Sequence, residues 1–172
     1  MRIEIKPKPL TILGFKRFGE VIGKEGRASK IINRGSAEKF HDVCSMDAHE
    51  EGGNSTLHIY VGKAREFPLH IDMLEKHPFF SQTFIPRSKV PFYCVVALGE
   101  REPDLSTLEI FETNGEQGIH LNRGTWHFPL TCIKDKEEFI VLDMVAKNQD
   151  EKKIIECVEY NMEEKEIYLV KE

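Results

Sequence analysis

No two cysteines of this chain are close in sequence: Cys44, Cys94, Cys132 and Cys157 form neither a C-x-x-C pair nor any other short spacing. That excludes a recognisable disulfide framework and the usual structural-zinc and redox patterns, and points to reduced, mostly buried thiols in a cytoplasmic protein. The seven histidines are equally scattered, with no H-x-H and no H-x-x-x-H, so no compact metal motif is present. No serine or cysteine sits in a nucleophile-elbow context, which removes the common hydrolase triads. Basic charge is the scarcer sign, 24 Lys plus Arg against 29 Asp plus Glu, with no basic block. This balance argues against nucleic acid or an anionic membrane as the main partner. No apolar run approaches the length of a membrane span. The start of the chain, Met1-Arg2-Ile3-Glu4-Ile5-Lys6, lacks the apolar core of a signal peptide.

Alternation of apolar and polar residues is what the chain has in quantity. Arg2 to Ile5, Thr56 to Val61 and Thr107 to Phe111 repeat with period two, each leaving one wet face. Phe92 to Leu98 and Phe139 to Leu142 are continuous apolar runs, the pattern of strands covered on both faces. Turn signals separate them at Arg34-Gly35, Gly52-Gly53-Asn54, Gly99, Asn114-Gly115, Gly118 and Gly124. Two helices are expected, one from about Thr11 to Gly19 and a short turn through Ile71 to Glu75. The charged tail holds two β-like pieces, Ile154 to Val158 and Glu166 to Val170, which read as a closing hairpin. With 172 residues and 40% hydrophobic composition, the chain reads as one domain, residues 1–172, large enough to bury about two thirds of its unfolded surface. The expected fold class is all-β: an antiparallel β-barrel or jelly roll with one or two short helices.

The densest chemistry lies in Asn122-Arg123-Gly124-Thr125-Trp126-His127, an imidazole and a guanidinium at the mouth of a strand. Alternation places His127 on one face and Trp126 and Phe128 on the other. His127 is therefore either a hydrogen-bonded core histidine or a site residue pointing into the barrel. Gln82 is a polar residue inside an apolar strand, and either satisfies an interior hydrogen bond or holds a ligand or metal. His77-Pro78 reads alone as a cap or turn, and Lys63 and Arg65 as solvated loop charges. His41 and Asp42 are neighbours, but adjacent strand residues face opposite ways, which disfavours a direct pair. Glu75 and Glu116 are candidate acids that also fit a solvated role.

Glu75-Lys76-His77-Pro78 with Ser81-Gln82-Thr83-Phe84-Ile85-Pro86 resembles the signature of the ureidoglycolate lyase family. Val95 to Gly99, Pro103 to Leu108, Thr113 to Gly118, and Gly124-Thr125-Trp126-His127 with Pro129-Leu130 are similar to further family segments, and Asn33-x-Gly35 with Phe40-His41-Asp42 to an earlier one. These matches keep the family order over about residues 10 to 145. The resemblance implies a cupin-like barrel, a homodimer, and cleavage of (S)-ureidoglycolate to glyoxylate and urea in allantoin catabolism. Asn122 to His127 resembles the second cupin motif, and His77 to Gln82 the region of the first. Four positions depart from the family pattern. Phe128 replaces a second histidine, Met144 an arginine after Asp143, Val61 an arginine before the Lys63 loop, and Lys39 an arginine before the aromatic-His-Asp step.

The substrate so implied is a small carboxylate, and its cleavage needs a base for the hydroxyl proton and an acid for the departing urea. The resemblance makes His127 the base and Arg123 the partner of the carboxylate, with Lys63 and Gln82 also binding substrate; either Arg123 and Lys63 compensate for the lost arginines or the substrate differs. A divalent metal held by His77, Gln82 and His127 would polarise the hydroxyl and the carboxylate instead. A diverged cupin acting on another small hydroxy or sugar acid and a non-catalytic metabolite-binding cupin are the alternatives, because one barrel hosts many functions.

Overall fold

The computed structural model describes residues 2–46, 54–145 and 157–171. In chain order its first strands are β1 (Ile3–Ile5), β2 (Lys8–Pro9), β3 (Gly19–Ile22), β4 (Ser29–Ile32), β5 (Ala37–Phe40) and β6 (Asn54–Gly62). The next are β7 (Leu69–His70), β8 (Met73–Lys76), β9 (Gln82–Pro86), β10 (Phe92–Leu98), β11 (Asp104–Glu112) and β12 (Gly118–Leu121). The last are β13 (Trp126–His127), β14 (Thr131–Cys132), β15 (Glu137–Val145), β16 (Val158–Asn161) and β17 (Ile167–Leu169). A single α-helix among the described residues, α1 (Ile12–Phe15), is opened by Thr11, whose hydroxyl accepts from the Gly14 amide at 3.1 Å. The chain is mainly β, as its alternation predicts.

Two sheets stack face to face. One runs β16-β8-β13-β10-β11-β2, with β14 also paired to β10; the other runs β3-β12-β9-β15-β6. Their pairings are antiparallel except for β2 on β11. Phe92, Cys94, Val96 and Phe111 from the first sheet meet Phe84, Ile119, Leu121, Phe139 and Val141 from the second in one apolar core. The opposite face of β10, with Tyr93, Val95 and Ala97, joins Trp126, Phe128, Ile167 and Leu169 in another. The second core is closed by a small third sheet, β1-β17-β7. Strand β10 is thus a middle layer, which is why Phe92 to Leu98 is apolar at every position.

Four expectations need correction. The short helix expected at Ile71 to Glu75 is strand β8 over its second half, because Leu74 is claimed by the outer core while Glu75 and Lys76 pair with Glu159 and Val158 of β16. The tail is no hairpin: β16 pairs with β8, whereas β17 pairs with β1 and β7, each apolar piece finding its own sheet. Residues 154–156 of that expectation lie outside the described residues. Phe139 to Leu142 is not covered on both faces, since Phe139 and Val141 are buried while Ile140 and Leu142 are only partly so. The first helix stops at Phe15 rather than Gly19, because Phe15 and Phe18 enter the core and Gly19 begins strand β3.

Candidate active site

The inward faces of the two large sheets are apolar for most of their extent and polar at one end, where a cleft of about 1380 Å³ opens between them. Strand pairing builds its first wall. His127 of β13 stands opposite Glu75 of β8, and Glu75 opposite Glu159 of β16, so these three side chains share the inward face of one sheet. His77 lies two residues beyond Glu75 on the same strand direction and packs on Phe80, ring centroids 4.8 Å apart. The His77 and His127 rings are 5.3 Å apart. Trp126 and Phe128 belong to the outer core, so His127 is on the other face, toward the cleft end.

The state of His127 follows from its partners. Nδ1 lies 3.0 Å from the Thr125 carbonyl, an atom that can only accept, so Nδ1 carries a proton. In a neutral ring Nε2 would then be the lone-pair nitrogen. It is buried without a hydrogen-bond partner and lies 3.5 Å from Glu75 Oε1. Two acceptors facing each other require a proton or a cation between them. For Glu75, burial alone would push the carboxyl up. The close approach of His127, positive charge on His127 and His77 when they are protonated, and the Cys157 thiol outweigh it and hold the group below the ordinary carboxylate range. Cys157 Sγ donates to Glu75 Oε2 at 3.6 Å, and its thiol is pushed up to about 12 by burial and by Glu75 and Glu159.

The second wall is the other sheet. Gln82 of β9 and Asp143 of β15 are buried, and the Gln82 amide donates to Asp143 Oδ2 at 3.4 Å. His58 of β6 puts Nε2 3.0 Å from Asp143 Oδ1. His58, Tyr60, Gln82 and Asp143 all line the cleft. The rim is formed by the segment after β6. At Gly62 a Cβ would lie 2.1 Å from Cys132 Sγ, so only glycine lets the chain pass this close over β14. The Arg65 amide bonds the Cys132 carbonyl and the Ala64 amide bonds Asp135, which fix Lys63 and Arg65 at the cleft edge.

The expected residues therefore divide. His77, Gln82 and Lys63 line the cleft, and His127 stands directly behind Glu75. Arg123 is exposed on the β12–β13 turn and is not a cleft residue. The Asn122 and Gly124 amides are tied to the Phe18 and His77 carbonyls, and Gly124 turns with a φ of 79°, so the apex side chain is carried outward. The metal set is also rearranged. Ligand atoms of Glu75, His77 and His127 all lie within 4.8 Å of one another, whereas Gln82 belongs to the facing sheet. Two imidazoles and a carboxylate fit a divalent cation, and the orphaned Nε2 of His127 gives that fit a physical basis. His58 carried no sequence signal beyond its place in an alternating strand. His41 and Asp42 do meet, at 3.0 Å, because Asp42 adopts a φ of 58° and breaks the alternation, but both are remote from this cleft.

The family model described as ureidoglycolate lyase matches residues 2–167. The chain is 38% identical over 136 residues to a ureidoglycolate lyase of Burkholderia mallei, covering 79% of each protein. It is 37% identical over 143 residues to one of Pseudomonas fluorescens, covering 83% of this chain and 86% of the relative. Among solved structures, a 3,4-ketoisomerase from Helicobacter canadensis aligns with a TM-score of 0.42 and 14% identity, over 81% of this chain and 88% of that one.

Proposed function

Since this chain belongs to the ureidoglycolate lyase family, we propose that it cleaves (S)-ureidoglycolate to glyoxylate and urea in allantoin catabolism. The observation that carries the reading is the placement of His127: a buried imidazole whose Nδ1 is fixed by the Thr125 carbonyl and whose Nε2 lies 3.5 Å from the cleft-lining Glu75, with the His77 ring beside it.

The reaction explains why such a group is needed. One carbon of ureidoglycolate bears the hydroxyl, the carboxylate and a ureido nitrogen. His127 Nε2 takes the hydroxyl proton, the oxygen electrons form the aldehyde, and the carbon–nitrogen bond breaks toward urea. The substrate carboxylate is received at the rim by Lys63 and Arg65, which do what the sequence resemblance assigns to Arg123. Glu75, Glu159 and Asp143 would repel that carboxylate, so a counter-charge is required deeper in the cleft. In the alternative in which His127 Nε2 is a ligand rather than the base, Glu75, His77 and His127 would hold a divalent cation there, and its Lewis acidity toward the substrate oxygens would take the place of the imidazole base.

We place the protein in the cytoplasm as a homodimer. Free thiols at all four cysteines fit a reducing compartment. Leu57, Ile59 and Val61 are 58%, 51% and 64% exposed on the outer face of β6, beside the half-buried Ile140 and Leu142, which gives a second copy an apolar stripe to cover.

The test is incubation with racemic ureidoglycolate, with added divalent cation and with chelator, following glyoxylate through a coupled reductase. Turnover above spontaneous decay is the expected result. A rate equal to decay under every condition retires the activity and leaves the fold untouched.

A further inference from the structure

The wall opposite His127 carries a constellation that the proton abstraction leaves unused. Gln82 and Asp143 are 5% and 8% exposed, and β9 and β15 are adjacent strands. An ionised carboxylate only accepts hydrogen bonds, so the Gln82 group 3.4 Å from Asp143 Oδ2 is its NH₂, and the orientation of the amide is fixed. Gln82 Oε1 is therefore turned away from Asp143. It is buried and has no partner among the described residues, an unfavourable state that a ligand donor would relieve. On the other Asp143 oxygen, His58 Nε2 stands at 3.0 Å, within ion-pair reach but outside hydrogen-bond geometry, and the His58 ring lines the cleft; a proton carried on Nε2 would leave Nδ1 as the nitrogen available to a ligand.

We infer that Asp143 organises the ureido half of the site. It orients Gln82 so that the amide oxygen accepts from the terminal ureido NH₂, and it orients His58 so that Nδ1 delivers a proton to the nitrogen that departs. The inference rests on the lyase reading and deepens it. The step balances: as the carbon–nitrogen bond breaks, its electron pair stays on the ureido nitrogen, which takes the proton from the His58 imidazolium. The hydroxyl proton goes to His127 Nε2, and the hydroxyl oxygen becomes the aldehyde oxygen. Exchange with water returns one proton to His58 and removes one from His127. Gln82 and His58 are then substrate-contacting residues and Asp143 is a positioning residue. The signals were faint in sequence because Gln82, Asp143 and His58 sit on three separate strands that only sheet pairing joins.

Ureidoacetate, which keeps the carboxylate and the ureido group but lacks the hydroxyl, is an unreactive probe. Titration calorimetry should show Gln82→Leu binding it at least about tenfold more weakly than the parent protein, with His58→Gln close to parent. In turnover, His58→Gln should lower kcat about a hundredfold with little change in KM. That loss should shrink on a substrate bearing an electron-withdrawing aryl group on its distal ureido nitrogen, where the departing group needs less protonation. Asp143→Asn should cost nothing further in kcat when added to His58→Gln. Circular dichroism and melting temperature verify that each variant is folded. Unchanged ureidoacetate binding in folded Gln82→Leu, or an equal loss on both substrates in folded His58→Gln, overturns the inference while leaving the lyase reading in place. If the parent protein binds ureidoacetate in a Gln82-dependent way yet releases no glyoxylate, the lyase reading and the proton-delivery step fall together and the ureido-binding subsite stands.

Discussion

At the scale of single residues, the account turns on which nitrogen of His127 is basic. Thr125 fixes the answer through its backbone, so a side-chain replacement at Thr125 should matter less than one at His127. His127→Ala should lower turnover by at least about a hundredfold while the protein stays folded, since Nε2 makes no hydrogen bond that the truncation would break. Loss of folding comparable to a large core truncation would instead make His127 a structural histidine. Glu75→Gln gives a second check at this scale. Isothermal titration with a divalent cation should show binding in the parent protein and at least about tenfold weaker binding in Glu75→Gln, because a charged ligand atom is removed from the set. Equal affinity would place any cation elsewhere. His127, His77, Gln82 and Lys63 were legible as candidates because motif order and strand alternation mark them, and His77, Gln82 and Lys63 line the cleft. Glu75 was visible as an acid without a role, and His58 was not visible at all. Its function depends on meeting Asp143 across a strand pair, and nothing in a local spacing encodes that meeting. Arg123 is set apart from the cleft for the converse reason. Its neighbours in sequence form the site, but a glycine turn at Gly124 separates it from them in space.

At the scale of elements, the pairing of β3 with β12 supports the wall that carries Gln82. Gly19 is required there by close approach: a Cβ would lie 1.8 Å from the His120 carbonyl oxygen, whereas at Gly23 it would meet nothing within 4 Å. Gly19→Ala should therefore destabilise the protein by about 1–3 kcal/mol in urea unfolding, and Gly23→Ala should change it by less than about 0.5 kcal/mol. Equal effects would mean that the strand is free to shift. The strands themselves were readable from period-two patterning, and the doubly buried β10 from its unbroken apolar run. Sheet membership was less so. The short apolar pieces around Leu74 and in the tail carry too few residues to reveal which sheet recruits them, and a turn or a hairpin satisfies the same local pattern. Asn114-Gly115 shows the limit well: it makes a tight turn, with Asn114 Oδ1 accepting from the Glu116 and Gln117 amides. That turn carries the chain from one sheet to the other rather than closing a hairpin, since β11 and β12 belong to different sheets.

At the scale of the whole molecule, burial of thiols sets an alkaline limit. Burial, aided at Cys132 by Glu137 and at Cys157 by Glu75 and Glu159, pushes both thiols up to about 12, and burial raises Cys94 further. Above about pH 9 the unfolded chain loses these protons and the folded chain keeps them, so stability is fully present below about pH 9 and is lost as pH climbs toward 12. Urea midpoints should fall between pH 8 and pH 10.5, and a variant with alanine at Cys94, Cys132 and Cys157 should fall less steeply; parallel slopes would assign the effect to other groups. The mass in solution tests the apolar stripe. Light scattering should give about twice the 19.9 kDa chain, and Ile59→Lys should shift it toward one chain without unfolding. The most direct measurement of the central claim is the fate of the two enantiomers of ureidoglycolate, followed separately by chiral chromatography with parallel counts of urea and glyoxylate. The account predicts that the protein consumes the S enantiomer, releasing one urea for each glyoxylate, while the R enantiomer decays at its spontaneous rate. Equal decay of both enantiomers at the rate seen without protein would contradict it.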